Sequence, residues 1–327
     1  MNISYPPSFN FANLNTAIIA IKDCAQKYPG YHLWIKRDDL TGLELSGNKV
    51  RKLDFLLKDV VNNGATHIIT CGAVQSNHCR ATAFMAAKIG LNCTLFLRGQ
   101  PEGFPTGNFF LDKLVNPEII FVTVEEYREI ESRMEQEAQK LSGRGEKVYV
   151  IPEGGSNVLG VWGYIRCMEE ISNQIQKASL PIQAIMVATG SGGTHAGLLL
   201  GKLIMNSNLD VLSVNVCDDA AFFKQKILKL VNEFKNRFNY QFKADEGDIN
   251  IFDGFVGEGY GKITSQEIDM IKRFALSEGI ILDPVYCAKA FLGLEYLLKN
   301  RALNYENILF IHTGGIFGIF PYANDFI

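Results

Sequence analysis

The sequence predicts an α/β protein of two interleaved domains, each an open, mostly parallel sheet flanked by helices. Three observations predict it. Short apolar, β-branched runs alternate with segments of helical period along most of the 327 residues, the pattern of buried parallel strands covered by helices. No repeat and no low-complexity linker breaks the alternation. The weak breaks, near 47–51 and 152–156, fit a chain that leaves one domain and returns to it better than domains in tandem. The expected division is 1–52 with 155–327 as the larger domain and 53–154 as the smaller.

The first strand-like run is 32–38, followed by a turn-rich link to Gly47. Leu53, Leu56, Leu57, Val60 and Val61 then mark the apolar face of an amphipathic helix. A β-branched run at 67–72 ends on glycine and reads as a strand, and the alanine-rich 77–89 as a helix. Strand 93–97, helix 109–115 and strand 118–124 follow, then a charged helical stretch at 125–141. Strand 148–151 precedes helix 160–177. The apolar strand 184–188 runs into a glycine-rich loop and a helix reaching about 205. Strand 211–217 and a long amphipathic helix at 220–238 come next. Thr264 and Glu267 form a capping box for a helix ending near Gly279. A helix at 288–299 and a strand at 308–311 complete the alternation.

Composition narrows the function. The hydrophobic fraction of 47% and charged fraction of 20% are those of a soluble globular protein. A net charge of -3 lacks the basic excess of a nucleic-acid surface. The start, Met1-Asn2-Ile3-Ser4-Tyr5-Pro6-Pro7, has neither the basic residues nor the apolar run of a signal peptide, and no apolar run reaches the length of a membrane span. The seven cysteines, at 24, 71, 79, 93, 167, 217 and 287, form no CxxC pair and sit mostly in apolar segments. Reduced, buried thiols in a cytoplasmic protein are expected, with no disulfide framework, zinc site or metal cluster.

Six stretches carry chemistry. Lys49 lies on the apolar stripe of its helix, four residues before Leu53. Burial there would favour a neutral amine, which Schiff-base chemistry requires; the plainer alternative is a lysine that snorkels past the stripe. The loop Thr189-Gly190-Ser191-Gly192-Gly193-Thr194 stands between a strand and a helix, so its N–H groups and the helix start would cradle a phosphate. It matches neither the P-loop nor the GxGxxG fingerprint, and a tight structural turn is its alternative reading. Gln75-Ser76-Asn77-His78, also between strand and helix, offers a hydroxyl, an amide and an imidazole to one ligand, although Ser76 is equally placed to cap the helix. Tyr260 and Tyr286 sit in turn-rich segments, and His312-Thr313-Gly314-Gly315 ends the last strand. A phosphate cradle, a Schiff-base lysine and polar loops at strand ends together point to pyridoxal 5'-phosphate.

The same residues carry a resemblance. Lys36-Arg37-Asp38-Asp39-Leu40, the run from Gly47 to Leu53, Gln75 to His78, Glu153-Gly154-Gly155-Ser156-Asn157 with Gly160 and Gly163-Tyr164, Thr189 to Thr194, Leu282 to Tyr286 and His312 to Gly315 occur in order over 33–315. Together they resemble the D-cysteine desulfhydrase / 1-aminocyclopropane-1-carboxylate deaminase family. The resemblance implies the tryptophan-synthase β-type fold (fold type II), a homodimer, and a cofactor in the cleft between the domains. It implies Lys49 as the Schiff-base lysine, and Lys52 with the amides of Ser191, Gly192, Gly193 and Thr194 at the phosphate. Asn77 would meet the phenolic oxygen, Tyr286 the cofactor ring and Thr313 the pyridine nitrogen. Ser76, Asn77, His78 and Tyr260 would face the substrate, with Lys49, Ser76, Tyr260 and Tyr286 as catalytic residues.

Within the family, deaminases typically have glutamate at the position of Cys287 and leucine at that of Thr313. Desulfhydrases often have threonine at the former, so Cys287 fits neither pattern. A neutral threonine at the pyridine nitrogen suits expulsion of a thiolate better than opening of a cyclopropane. The expected activity is a lyase reaction: β-elimination on a small D-amino acid, D-cysteine giving pyruvate, hydrogen sulfide and ammonia. The alternatives are a hydrolase, deaminating 1-aminocyclopropane-1-carboxylate to 2-oxobutanoate and ammonia, and a catalytically silent ligand-binding homologue. The segment Tyr5-Pro6-Pro7-Ser8-Phe9 also departs from the family's usual start, which bears on the pocket mouth or the dimer contact.

Overall fold

The computed structural model describes residues 3–101 and 103–327, without the side chains of 23–25. Met1, Asn2 and the Cys24 thiol therefore lie outside the described residues. The chain begins with β1 (Ile18–Ala20), α1 (Lys22–Lys27), β2 (His32–Lys36) and α2 (Asn48–Asn62). It continues through β3 (His67–Ala73), α3 (Asn77–Lys88), β4 (Asn92–Arg98), α4 (Gly107–Val115), β5 (Glu118–Val122), α5 (Val124–Tyr127), α6 (Ile130–Ser142) and β6 (Val148–Val150). Then follow α7 (Trp162–Ala178), β7 (Ala184–Thr189), α8 (Gly193–Met205), β8 (Asp210–Asn215), α9 (Ala220–Phe238), β9 (Asn250–Phe252), α10 (Ser265–Glu278), α11 (Cys287–Lys299) and β10 (Asn307–Ile311).

Two sheets result. One has the order β1-β2-β10-β7-β8-β9 and the other β5-β4-β3-β6. The chain starts in the first, builds the whole of the second, and returns to the first. Every neighbouring pair is parallel except β1 with β2. The central strand β7 is buried at all six positions, as a parallel strand covered on both faces must be. The Thr264–Glu267 capping box forms as expected.

Three details differ from the sequence reading. The stretch 125–141 is broken, because Glu129 leaves helical geometry (φ -109°, ψ 25°) between α5 and α6. The three-residue strands β1 and β9 are too short for their period to register. Val61 is 39% exposed while Leu53, Leu56, Leu57 and Val60 are fully buried, so the buried stripe of α2 ends one residue early. Of the six described cysteines, all free, five are buried and Cys217 is half-buried. No helix of the described residues is long and apolar enough to cross a membrane.

A buried ionic cluster fixes the start of α2. Arg51 donates to Asp38 Oδ1 at 2.7 Å and to Glu170 Oε2 at 2.9 Å. Lys36 Nζ reaches Glu170 Oε1 at 2.5 Å, and Tyr164 donates to Asp38 Oδ2 at 2.7 Å. Two cations and two carboxylates thus balance one another and join β2, α2 and α7. The N-terminal segment lies outside this cluster: Tyr5 donates to Glu169 at 2.8 Å and packs edge-on against Trp162. It docks on α7, and none of 5–9 lines the central cavity.

Candidate active site

Parallel sheets gather ligand loops at the carboxyl ends of their strands. Here the loops after β7, β10 and β3 meet the first turn of α2 around one cavity. Its walls include Lys49, the loop 75–78 through Ser76, Asn77 and His78, the loop 189–194 through Ser191, Gly192 and Thr194, and Tyr260, Tyr286 and Thr313. Lys52 and Gly193 stand directly behind the wall. A methyl group on Gly193 would lie 2.9 Å from Lys52 Nζ and 2.5 Å from Ser156 Oγ, so only glycine leaves room for the three to converge.

The two lysines are buried. Burial lowers the Lys49 amine to about 8, against a smaller opposing effect of Glu153. Lys49 is therefore a base near neutrality and does not snorkel to water. Lys52 is 0% exposed. Its Nζ donates to the Gly154 carbonyl and to Ser156 Oγ, each at 3.3 Å, and no carboxylate among the described residues pairs with it. Burial, then the charges of Lys49 and Lys226, push its amine well below the ordinary range. A buried amine that lacks an anion is costly. A phosphate dianion would supply the missing charge, and the start of α8, with Gly192 at φ 83° and Gly193 next to Lys52, offers the free N–H groups of a helix N-terminus. The residues present therefore fit a phosphorylated aldehyde: a cradle and a cation for the phosphate, and a low-pKa amine within the same cavity.

The polar walls are held by the folds behind them. Ser76 Oγ caps α3, accepting from Cys79 N at 3.2 Å. The Thr70 hydroxyl donates to the Ile151 carbonyl at 2.8 Å, so His78 Nε2 donates to Thr70 Oγ1 at 2.8 Å. Burial and the nearby amines of Lys49 and Lys52 keep the His78 imidazole neutral. Its ring is part of the wall, 3% exposed. Asn77 Oδ1 accepts from Asn108 Nδ2 at 2.9 Å. The Tyr260 and Tyr286 hydroxyls lie 2.6 Å apart, and burial raises both phenols above their ordinary range. Asp283 accepts from the backbone N–H groups of Val285, Tyr286 and Cys287 at 3.1, 2.9 and 2.7 Å, which fixes Tyr286 at the start of α11.

Thr313 is backed by sulfur. Its Oγ1 lies 3.4 Å from Cys287 Sγ, which lies 3.3 Å from His312 Nδ1. His312 Nε2 sits 2.9 Å from the Ile281 carbonyl, so it carries the proton, and Nδ1 is the acceptor for Gly314 N–H at 3.2 Å and for the thiol. Burial first, and Asp283 second, raise the Cys287 thiol well above its ordinary range. It is neutral and is not among the cavity-lining residues.

Sequence reasoning gave no role to three participants. Glu153 lines the cavity, acts on Lys49 and accepts from Tyr127 at 2.6 Å. Ser156 holds Lys52 and bonds Ser191 at 2.9 Å. Both follow a strand and adjoin a Gly-Gly pair, a signal that places a loop near a ligand. Asn108 carries no such signal.

A model of the family described as pyridoxal-phosphate dependent enzymes matches residues 10–314. A Thermotoga maritima protein with the provisional name 1-aminocyclopropane-1-carboxylate deaminase is 42% identical over 313 residues, 95% of this chain and 97% of its own. A mitochondrial Arabidopsis thaliana protein, bifunctional D-cysteine desulfhydrase/1-aminocyclopropane-1-carboxylate deaminase, is 41% identical over 302 residues, 89% of this chain and 74% of its own. A crystal structure described as that of an ACC deaminase homologue superposes with a TM-score of 0.90 at 38% identity, covering 98% of this chain and 95% of its own. With a buried lysine and a glycine loop at a helix start around one cavity, the chain belongs to the pyridoxal-phosphate dependent enzymes of fold type II, in the D-cysteine desulfhydrase and 1-aminocyclopropane-1-carboxylate deaminase family.

Proposed function

We propose that the protein eliminates the β-substituent of a small D-amino acid, with D-cysteine and water giving pyruvate, hydrogen sulfide and ammonia. The observation that carries this reading is the neutral end of the cavity at Thr313. Glu153 is the one carboxylate among the described residues that line the cavity, and its influence falls on Lys49. Thr313 is backed by the neutral Cys287 thiol, while Asp283 is committed to backbone N–H groups. A hydroxyl in such surroundings does not hold a pyridine nitrogen protonated. Loss of a thiolate makes a smaller demand on the electron sink than opening a cyclopropane.

When bound, pyridoxal phosphate supplies that sink for the electrons left at the substrate Cα. Lys52 and the amides of Ser191 to Thr194 hold its phosphate, and the Asn77 amide its phenolic oxygen. Tyr286 would pack along its ring and Thr313 would face its nitrogen. Lys49 Nζ would be the amine that holds the aldehyde carbon, and its lowered ionisation would suit it as the base for the substrate Cα proton. Ser76, Asn77 and His78 form the wall that receives the substrate carboxylate. Tyr260, bonded to Tyr286, brings a hydroxyl proton to the side where sulfide leaves. The cofactor lies in the cleft between a larger domain of 1–52 with 155–327 and a smaller one of 53–154, the first junction falling within α2, and the protein works in the cytoplasm as a homodimer.

Deamination of 1-aminocyclopropane-1-carboxylate is the second reading, favoured by the names of the relatives. Purified protein given D-cysteine, L-cysteine or 1-aminocyclopropane-1-carboxylate separates the two. Sulfide and pyruvate from D-cysteine alone are expected. Release of 2-oxobutanoate without sulfide would overturn the first reading for the second, and no product from any of them, with no visible absorption from bound cofactor, would leave a silent homologue.

A further inference from the structure

We propose that Asn108, at the start of α4, is a positioning residue that fixes the side-chain amide of Asn77 with its NH2 group directed away from α4 and toward the cavity. Asn108 belongs to no motif and is not itself among the cavity-lining residues. Its effect comes from a chain of hydrogen bonds whose polarity is set by backbone groups. The Asn108 N–H donates to Gln75 Oε1 at 2.9 Å, and Gln75 Nε2 donates to the Thr106 carbonyl at 3.0 Å, so the Gln75 amide has one allowed orientation. The Gln75 carbonyl can only accept, and Asn108 Nδ2 donates to it at 3.0 Å. That contact fixes the orientation of the Asn108 amide. The same Nδ2 lies 2.9 Å from the Asn77 side chain, so the Asn77 atom there must be its oxygen. Reversing Asn77 would set two NH2 groups against each other in a place where Asn108 is 0% exposed.

The Asn77 nitrogen is thereby left for the other side. A methyl group on Gly315 would lie 2.9 Å from it, which places it beside the turn that follows Thr313. Asn108 Oδ1 is buried without a hydrogen-bond partner among the described residues, so the side chain acts through its NH2 group. Gly107 permits the arrangement. It has φ 61°, and a methyl group there would lie 2.6 Å from Gln75 Oε1 and 2.6 Å from the Phe317 carbonyl. A side chain at 107 would lift α4 away from the loop that carries Asn77.

The inference rests on the proposed contact between Asn77 and the cofactor's phenolic oxygen. An NH2 group aimed at that oxygen favours its ionised form, and an amide free to turn does not. The test is the visible absorption of the bound cofactor across pH, with cofactor affinity measured on the apoprotein. Asn108→Ala and Asn108→Asp should each move intensity from the ionised to the neutral form, raise any pH midpoint between them, and weaken cofactor binding about tenfold, the effect of one hydrogen bond to a charged group. Asn77→Asp keeps an acceptor for Asn108 but loses the NH2, and should shift the spectrum the same way. An unshifted spectrum in Asn77→Asp would overturn the phenolic-oxygen contact itself. A shift there, with unchanged spectra in both folded Asn108 variants, would overturn the role of Asn108 and leave the contact standing. Thermal unfolding shows whether the variants fold. If neither does, neutron diffraction of the deuterated wild-type holoenzyme decides: Asn77 oxygen toward Asn108 is expected, and nitrogen there overturns the proposal.

Discussion

Lys52 Nζ lies 3.3 Å from Ser156 Oγ, a contact that brings the loop after β6 to the second turn of α2 without providing an anion. The amine is fully buried and its folded-state value is depressed, so its contribution to stability is present above about 10.5, the ordinary value, and is lost as pH falls through the lower folded one. At neutral pH it therefore destabilises the apoprotein. Lys52→Met should raise the apoprotein melting temperature while weakening cofactor binding by about 10- to 100-fold, the range of a charge-assisted hydrogen bond. Calorimetry and cofactor titration check both halves. A lower apoprotein melting temperature with unchanged affinity would refute the reading of Lys52 as an anion site.

Gly193 gives a second test of the cradle. An added Cβ would sit 2.5 Å from Ser156 Oγ, closer than side chains pack, and 2.9 Å from the flexible end of Lys52. Relief would displace the amides that face the phosphate. Gly193→Ala should cost about 1–3 kcal/mol of apoprotein stability, as overpacking does, and reduce cofactor affinity by more than that stability change accounts for. A comparable loss of cofactor affinity in an alanine variant at Gly279, a helix C-cap at φ 66° where a side chain strains the backbone without touching a neighbour, would show that the effect on affinity is not local.

Much of the fold and the site is legible in the sequence because periodicity and glycine placement report local structure directly. Lys49 stands out as a charge on an apolar stripe, and its burial follows from the stripe. The order strand, glycine loop, helix is enough to mark 189–194 as a loop that faces a ligand site, and its residues line the cavity. The interleaving is readable as two weak breaks, whereas sheet order is not, since parallel strands carry no register signal along the chain. Asn108 is invisible for a related reason. Its partners lie 31 and 33 residues away, and an asparagine at the start of a helix has no sequence mark to distinguish a cap from a tether. The break in the helical stretch 125–141 is hidden because charged residues of good helical propensity span it.

The cluster around Arg51 predicts a pH-dependent cost. Burial alone would raise the Asp38 carboxyl, but the Arg51 charge and hydrogen bonds outweigh it and hold Asp38 below 3.8. A depressed acid contributes stability that is present above its unfolded value and lost as pH falls through the folded one. Arg51→Met would leave Lys36 facing two buried carboxylates, at a cost of about 3–5 kcal/mol and a melting temperature lower by on the order of ten degrees. That gap should be full at pH 7 and should narrow below about pH 4, as Asp38 loses its charge. Melting curves from pH 3 to pH 8 provide the check, and a gap that widens on acidification would contradict it.

Lys49 should reveal its depressed value in how the apoprotein takes up its cofactor. The amine attacks an aldehyde only when neutral, and burial brings its ionisation to about 8. The rate of cofactor capture should therefore rise with pH through a midpoint near 8, instead of climbing toward the range of an ordinary lysine. Glu153 opposes the effect of burial by favouring the charged amine, so Glu153→Gln should move the midpoint to lower pH and speed capture at pH 7. Lys49→Ala should bind the cofactor without a covalent link, leave nothing for borohydride to fix to the protein, and lose turnover. Stopped-flow absorbance on the apoprotein measures the capture rates, and mass spectrometry after reduction locates the link. An upward shift of the midpoint in Glu153→Gln would mean that Glu153 acts through the shape of the cavity, since removing a nearby negative charge can only make the ammonium form less favourable.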